Sequence, residues 1–125
     1  PCGKIHILVH NARHGDERFL EETCHFVPKI QDLTNDAEEP IFLTQGWHHH
    51  LACGSRIVVI FSASLRMGVL QQTVYLTTNA ANEAMARVWA TELGVKYGVT
   101  VNCAAPSLIA TEMYYASHQG ILDTM

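Results

Sequence analysis

The sequence predicts an α/β fold built on a parallel sheet. Three observations carry this reading. Arg56 to Phe61 (RIVVIF) is an almost unbroken β-branched run, the pattern of a strand covered on both faces, where alternation is lost. Thr73 to Tyr97 carries apolar side chains at steps of three and four, the period of a helix that buries one face. Strand-like and helix-like segments then alternate along the chain, an order that parallel strands joined by right-handed crossovers satisfy.

The elements follow in order. Ile5 to His10 (IHILVH) is a short apolar strand entering a loop at Asn11, Ala12 and Gly15. From Asp16 to Glu39 the chain is charged and weakly periodic, with Pro28 and Pro40 as breakers and Asn35-Asp36 as a turn or cap. Ile41 to Leu51 reads as a helix, with Ile41, Thr44, Gln45 and His48 along one side, stopped by Gly54. The Arg56 strand ends in Ser62, Ala63 and Ser64, at the carboxyl edge where open α/β sheets place their chemistry. In the long helix, Ala81, Ala84, Met85, Val88, Trp89 and Leu93 form the apolar stripe, and Glu83 pairs with Arg87 at i, i+4. Gly98 ends it, and Val99 to Ala104 is a third strand closed by Pro106. No internal repeat or linker interrupts the chain.

At 125 residues and 48% hydrophobic, the chain can bury one core without disulfide or metal staples. A formal charge of −4 argues against nucleic acid or an anionic membrane surface as partner. No apolar run approaches the roughly 20 residues of a membrane-spanning helix, so a soluble, cytoplasmic protein is expected. Cys2, Cys24, Cys53 and Cys103 lack CxxC spacing, and Cys103 reads as a buried free thiol. His48-His49-His50 cannot converge on one ion, because consecutive helical positions splay by about 100°. They read as a solvated helix end, and no metal site is expected. His6 and His10 share a strand face by parity and read as packing or surface residues.

Three segments together resemble the short-chain dehydrogenase/reductase family. Leu8-Val9-His10-Asn11-Ala12-Arg13 is similar to the family's LVNNAG. Tyr75 follows Ser62 by thirteen positions, the family's interval between catalytic Ser and Tyr. Val101 to Ser107, running on to Ala110-Thr111-Glu112-Met113, looks like its VNxxxPGxxxTxM. The resemblance implies a Rossmann-like three-layer fold with a partial parallel sheet, one partial domain over residues 1–125, lacking the N-terminal glycine-rich βαβ half. The strand at Ile5 looks like the family's fourth, whose usual neighbour, the first, would then leave an unpaired edge.

The resemblance also implies an oxidoreductase that moves a hydride between NADP or NAD and a small-molecule carbonyl or secondary alcohol. Tyr75 would be the proton donor and Ser62 would orient the substrate oxygen. Asn11, Ala12, Pro106, Ile109 and Thr111 would lie along the cofactor, with Thr111 at the nicotinamide carboxamide. Such chemistry needs a proton donor and a second hydrogen bond on the developing alkoxide. An ordinary phenol, with a pKa near 10, needs electrostatic help for this at neutral pH. The family supplies it with a Lys four residues after the Tyr, which also holds the ribose, but here that position is Asn79. An amide carries no charge and cannot replace the ammonium. Arg13 and Ser107 stand where the family has glycine, and the family's helix Asn falls between Thr34 and Asp36, counting back from Pro40 giving Asp36. TGxxxGxG does not occur in the 125 residues.

Two functions follow from these residues. One is an NAD(P)-dependent oxidoreductase, impaired in this chain. The other is a non-catalytic remnant or partner subunit that has lost cofactor binding. Ala80, Ala84 and Ala90 on the long helix are the small residues through which a homo-oligomer contact is expected.

Overall fold

The computed structural model describes residues 3–12, 27–112 and 115. Strand β1 (Ile5–His10) leads to helix α1 (Val27–Trp47), a 3-10 turn (His48–His50) and strand β2 (Leu51–Ile60). A second 3-10 turn (Ala63–Arg66), helix α2 (Thr73–Tyr97) and strand β3 (Thr100–Ala104) complete the order. The three strands lie in the order β1-β2-β3, all parallel. Their carboxyl ends at His10, Ile60 and Ala104 therefore share one edge.

Strand pairing explains which side chains meet. Leu8, Ile57 and Val101 are register partners, as are His10, Val59 and Cys103. In a parallel sheet such partners point to the same face. That face is the core: Ile57 and Val59 are buried, with Ala86, Val99, Trp89, Leu93 and Tyr97 packed against them. α1 lies on the same side, because the buried Thr44 hydroxyl bonds His10 Nε2 at 2.9 Å while the His10 ring meets Trp89 at 5.7 Å. His6 is exposed and His10 is packed. On the opposite face Ile7 and Val9 remain 61% and 53% exposed. Among the described residues, no strand pairs with the outer edge of β1.

β1 and α2 have the bounds that the residue pattern predicts. β2 does not: it starts at Leu51, five residues earlier than the β-branched run. Between the pairs Ile5↔Leu51 and Ile7↔Arg56 the β2 side carries the longer stretch of chain. Gly54, with φ +73, sits in that irregularity, so it marks a bulge in a strand and not the end of a helix. Gly98 does end α2, with φ 66 and its N–H on the Gly94 carbonyl at 2.9 Å, a left-handed C-terminal cap.

α1 corrects the reading of the 16–39 segment. The helix begins at Val27 and passes through Asn35-Asp36 and Pro40. Pro28 is harmless in a first turn, where the N–H has no helical partner. Pro40 is not, since it lacks the N–H that would reach the Asp36 carbonyl and its ring crowds that oxygen. Asn82 on α2 supplies a substitute, donating Nδ2 to the Asp36 carbonyl at 3.3 Å. Asn82 is fully buried and also donates to Thr78 O at 2.9 Å.

The buried stripe of α2 is correspondingly turned. It runs through Thr78, Asn79, Asn82 and Ala86, while Ala84 and Val88, expected inside, are exposed. Counting apolar residues missed two asparagines that enter the interior because they find backbone acceptors there. His48–His50 form a mostly exposed 3-10 turn after α1, with the His48 and His49 rings 3.6 Å apart. Among the described residues no helix is long and apolar enough to cross a membrane, and none cluster as metal ligands.

Candidate active site

The site is built at the carboxyl edge of the sheet, where β1, β2 and β3 release the chain side by side. Asn11-Ala12 leave β1, Phe61-Ser62 leave β2 and Ala105-Pro106 leave β3. Two backbone bonds bind the last two exits together: Phe61 N–H to Ala104 O at 2.9 Å and Ala63 N–H to Pro106 O at 3.0 Å. Ser62 and Pro106 are thus set against each other. Ser62, in extended backbone, caps the Ala63–Arg66 turn, its Oγ accepting from Ser64 N–H at 3.3 Å and sharing a 2.7 Å bond with Ser64 Oγ. Sequence spacing alone gave Ser64 no role, yet both its hydroxyl and its backbone N–H bond to Ser62 Oγ.

Tyr75 sits in the first turn of α2 and is half-buried. The approach to it is strained: Gln71 has φ 63, a left-handed conformation that a glutamine adopts only where its surroundings hold it there. The Tyr75 carbonyl accepts from Thr78 Oγ1 at 2.8 Å and from Asn79 Nδ2 at 2.6 Å. Asn79 is 0% exposed, and its Oδ1 has no partner among the described residues. The side chain is folded back onto its own helix. It therefore differs from a lysine in reach as well as in charge, because none of its atoms is open to solvent or to a bound molecule.

Asp36, the position reached by counting back from Pro40, is buried at the α1–α2 contact. Thr111 is exposed, and Tyr115 N–H donates to its carbonyl at 3.0 Å, the i to i+4 spacing of a helical bond. Thr111 thus has the place of a helix N-cap. Ile109 is exposed and Pro106 half-buried on the same segment. Cys103 is exposed, contrary to the buried thiol the sequence suggests; among the described residues β3 has a strand on one side alone. Partial burial and the Glu83 charge push its thiol pKa up, against a smaller pull from Arg87, so it stays a protonated thiol. Cys53 is also free and exposed. Cys2, Arg13, Cys24 and Met113 lie outside the described residues.

A family model described as enoyl-(acyl carrier protein) reductase matches residues 1–124. The short-chain dehydrogenase/reductase FrzI of a Cladobotryum species is 41% identical over 112 residues, covering 89% of this chain and 43% of FrzI. The chain belongs to the short-chain dehydrogenase/reductase family. A dehydrogenase/reductase from Sinorhizobium meliloti 1021 superposes with a TM-score of 0.80 at 28% identity, over 89% of this chain and 44% of that one. Landomycin C-6 ketoreductase LanV, solved with bound NADP and rabelomycin, does so at 0.73 and 28% identity, over 82% and 41%. The chain spans less than half the length of each of these relatives.

Short-chain dehydrogenase/reductases are NAD(P)-linked, and the residues here fit that cofactor unevenly. The loop ends at Asn11-Ala12 and Pro106–Thr111 share the edge with Ser62, which suits the nicotinamide end. The ribose contact has no counterpart, because Asn79 is sealed and bonded to backbone.

Proposed function

We propose that this chain carries the carbonyl-side half of an NAD(P)-dependent oxidoreductase acting on a small-molecule carbonyl or secondary alcohol, with reduced competence. Residues 1–125 act as one partial domain. The Tyr75 hydroxyl gives the proton to the substrate oxygen, and the Ser62 hydroxyl, directed by Ser64, donates a second hydrogen bond to it. Thr111, Ile109 and Pro106 hold the nicotinamide end, and Asn11-Ala12 line the other side of the edge. The nicotinamide, when bound, supplies the hydride. Asn79 brings neither charge nor ribose contact, so Tyr75 works without a neighbouring ammonium. The observation that carries this reading is the meeting of the Ser62 and Pro106 segments through the Ala63–Pro106 bond at the edge from which Tyr75 begins α2.

A second reading, a non-catalytic partner subunit, is favoured by the burial of Asn79. Exposed Ala80, Ala84, Val88 and Ala90 on α2 support self-association along that helix, the acidic balance speaks against nucleic acid and anionic membrane partners, and a cytoplasmic location is part of the same proposal. Titration of the folded chain with NADPH and then NADH, followed by Trp47 and Trp89 fluorescence, separates the two. Binding near micromolar strength, about −8 kcal/mol, supports the oxidoreductase. No binding up to millimolar cofactor refutes it and leaves the partner subunit.

A further inference from the structure

Glu83 stands on α2 two turns beyond Tyr75, and its Oε1 accepts from two guanidiniums. One belongs to Arg87, a turn further along the same helix; the other belongs to Arg66, the last residue of the turn that Ser62 caps. The Glu83 side chain is 13% exposed while that of Arg66 is 68% exposed, so the carboxylate is shielded beneath the cations that cover it.

We propose that Glu83 is a positioning residue for Ser62: through Arg66 it fixes the Ala63–Arg66 turn onto the helix that carries Tyr75. The front of that turn is tied to β3 by the Phe61–Ala104 and Ala63–Pro106 bonds. The chain then runs through the exposed Met67 to Leu70 and the half-buried, left-handed Gln71 before α2 begins. Without the ion pair, the backbone bonds that hold the turn run to β3, while Tyr75 is placed by the packing of α2 on the sheet. With it, the far end of the turn is anchored on α2. The bonds from Ser64 to Ser62 Oγ carry that anchoring on to the hydroxyl itself. Arg87 keeps the carboxylate oriented from the helix side. That Ser62 and Tyr75 meet one substrate oxygen rests on the function proposed above; the anchoring of the turn does not.

The test is amide hydrogen exchange on the full 125-residue chain. Leu65 N–H donates to Ser62 O at 3.1 Å and Met67 N–H to Ser64 O at 2.9 Å, so these two amides report the turn. Glu83→Gln is expected to raise their exchange about three- to fivefold, the scale of a partly exposed ion pair, while amides inside α2 and β2 stay unchanged. Arg66→Lys should keep part of the protection, and Arg66→Gln, which leaves the Glu83–Arg87 pair in place, should raise exchange at the same two amides as Glu83→Gln does. Unchanged exchange at Leu65 and Met67 in Glu83→Gln, or a uniform rise through α2 and β2, overturns the proposal. Cofactor titration reads the oxidoreductase function separately, so either result can fail while the other stands.

Discussion

Replacing Asn82 with Ala removes the donor that stands in for the missing N–H of Pro40. The Asp36 carbonyl lies four residues before Pro40 in α1, and Asn82 Nδ2 reaches it at 3.3 Å from a fully buried position. Taking a donor away from a buried carbonyl costs about 1–3 kcal/mol. Two terms offset this: Ala exceeds Asn in helix propensity by about 0.5–0.7 kcal/mol, and the buried Oδ1, which has no partner among the described residues, is removed as well. The net expectation is a destabilisation of about 1 kcal/mol. With Pro40→Ala, the N–H of residue 40 reaches the Asp36 carbonyl within α1, and the same Asn82→Ala change should become neutral or slightly stabilising. The two substitutions should therefore couple by about 1–2 kcal/mol, well above the additivity of unconnected sites. Urea unfolding of the four proteins, followed by far-ultraviolet circular dichroism, measures the cycle. Additivity within about 0.5 kcal/mol would refute the idea that Asn82 serves Pro40.

Asn79→Lys should destabilise the fold by about 1–3 kcal/mol, because it carries an ammonium into a site with no solvent exposure and removes the bond to Tyr75 O. It should not by itself restore turnover to the 125-residue chain, so measurable NADPH oxidation by this variant would overturn that expectation. Gly98→Ala places a side chain at φ 66 and should cost about 1 kcal/mol in thermal unfolding; an unchanged melting temperature counts against the left-handed cap. Desolvation pushes the Glu83 carboxyl up, but the hydrogen bonds and charges of Arg87 and Arg66 outweigh it and hold the pKa below its ordinary 4.5. A depressed carboxylate contributes stability that is present above the unfolded value and lost as pH falls through the folded one. The stability difference between the wild-type chain and Glu83→Gln should thus hold at pH 5–7 and shrink as the pH is lowered below 4.5; a difference that grows on acidification would contradict the pairing.

The sequence by itself determined the strand-helix-strand core. The Ile5 strand, the Thr73–Tyr97 helix and its Gly98 stop follow from periodicity, β-branching and the one residue that tolerates a left-handed cap, all of which act over a few neighbouring positions. The thirteen-residue interval from Ser62 to Tyr75 and the Asn at position 79 were equally legible, since motif spacing is a property of the chain. Tertiary structure alone decided the rest. Pro40 reads as a breaker until α2 brings Asn82 to the Asp36 carbonyl, a donor 46 residues away. Asn82 carries no signal in the sequence, and that Asn79 is buried follows only from the backbone acceptors that let both side chains enter the interior. Gly54 reads as a helix stop until β1 pairs across it and makes it a bulge. Arg66 carries no local signal at all, for its partner lies 17 residues on. Local rules set which segments form, and contacts between distant segments set which polar groups can be buried, because burying a donor costs least where the fold supplies its acceptor, as it does for Nδ2 of Asn79 and of Asn82.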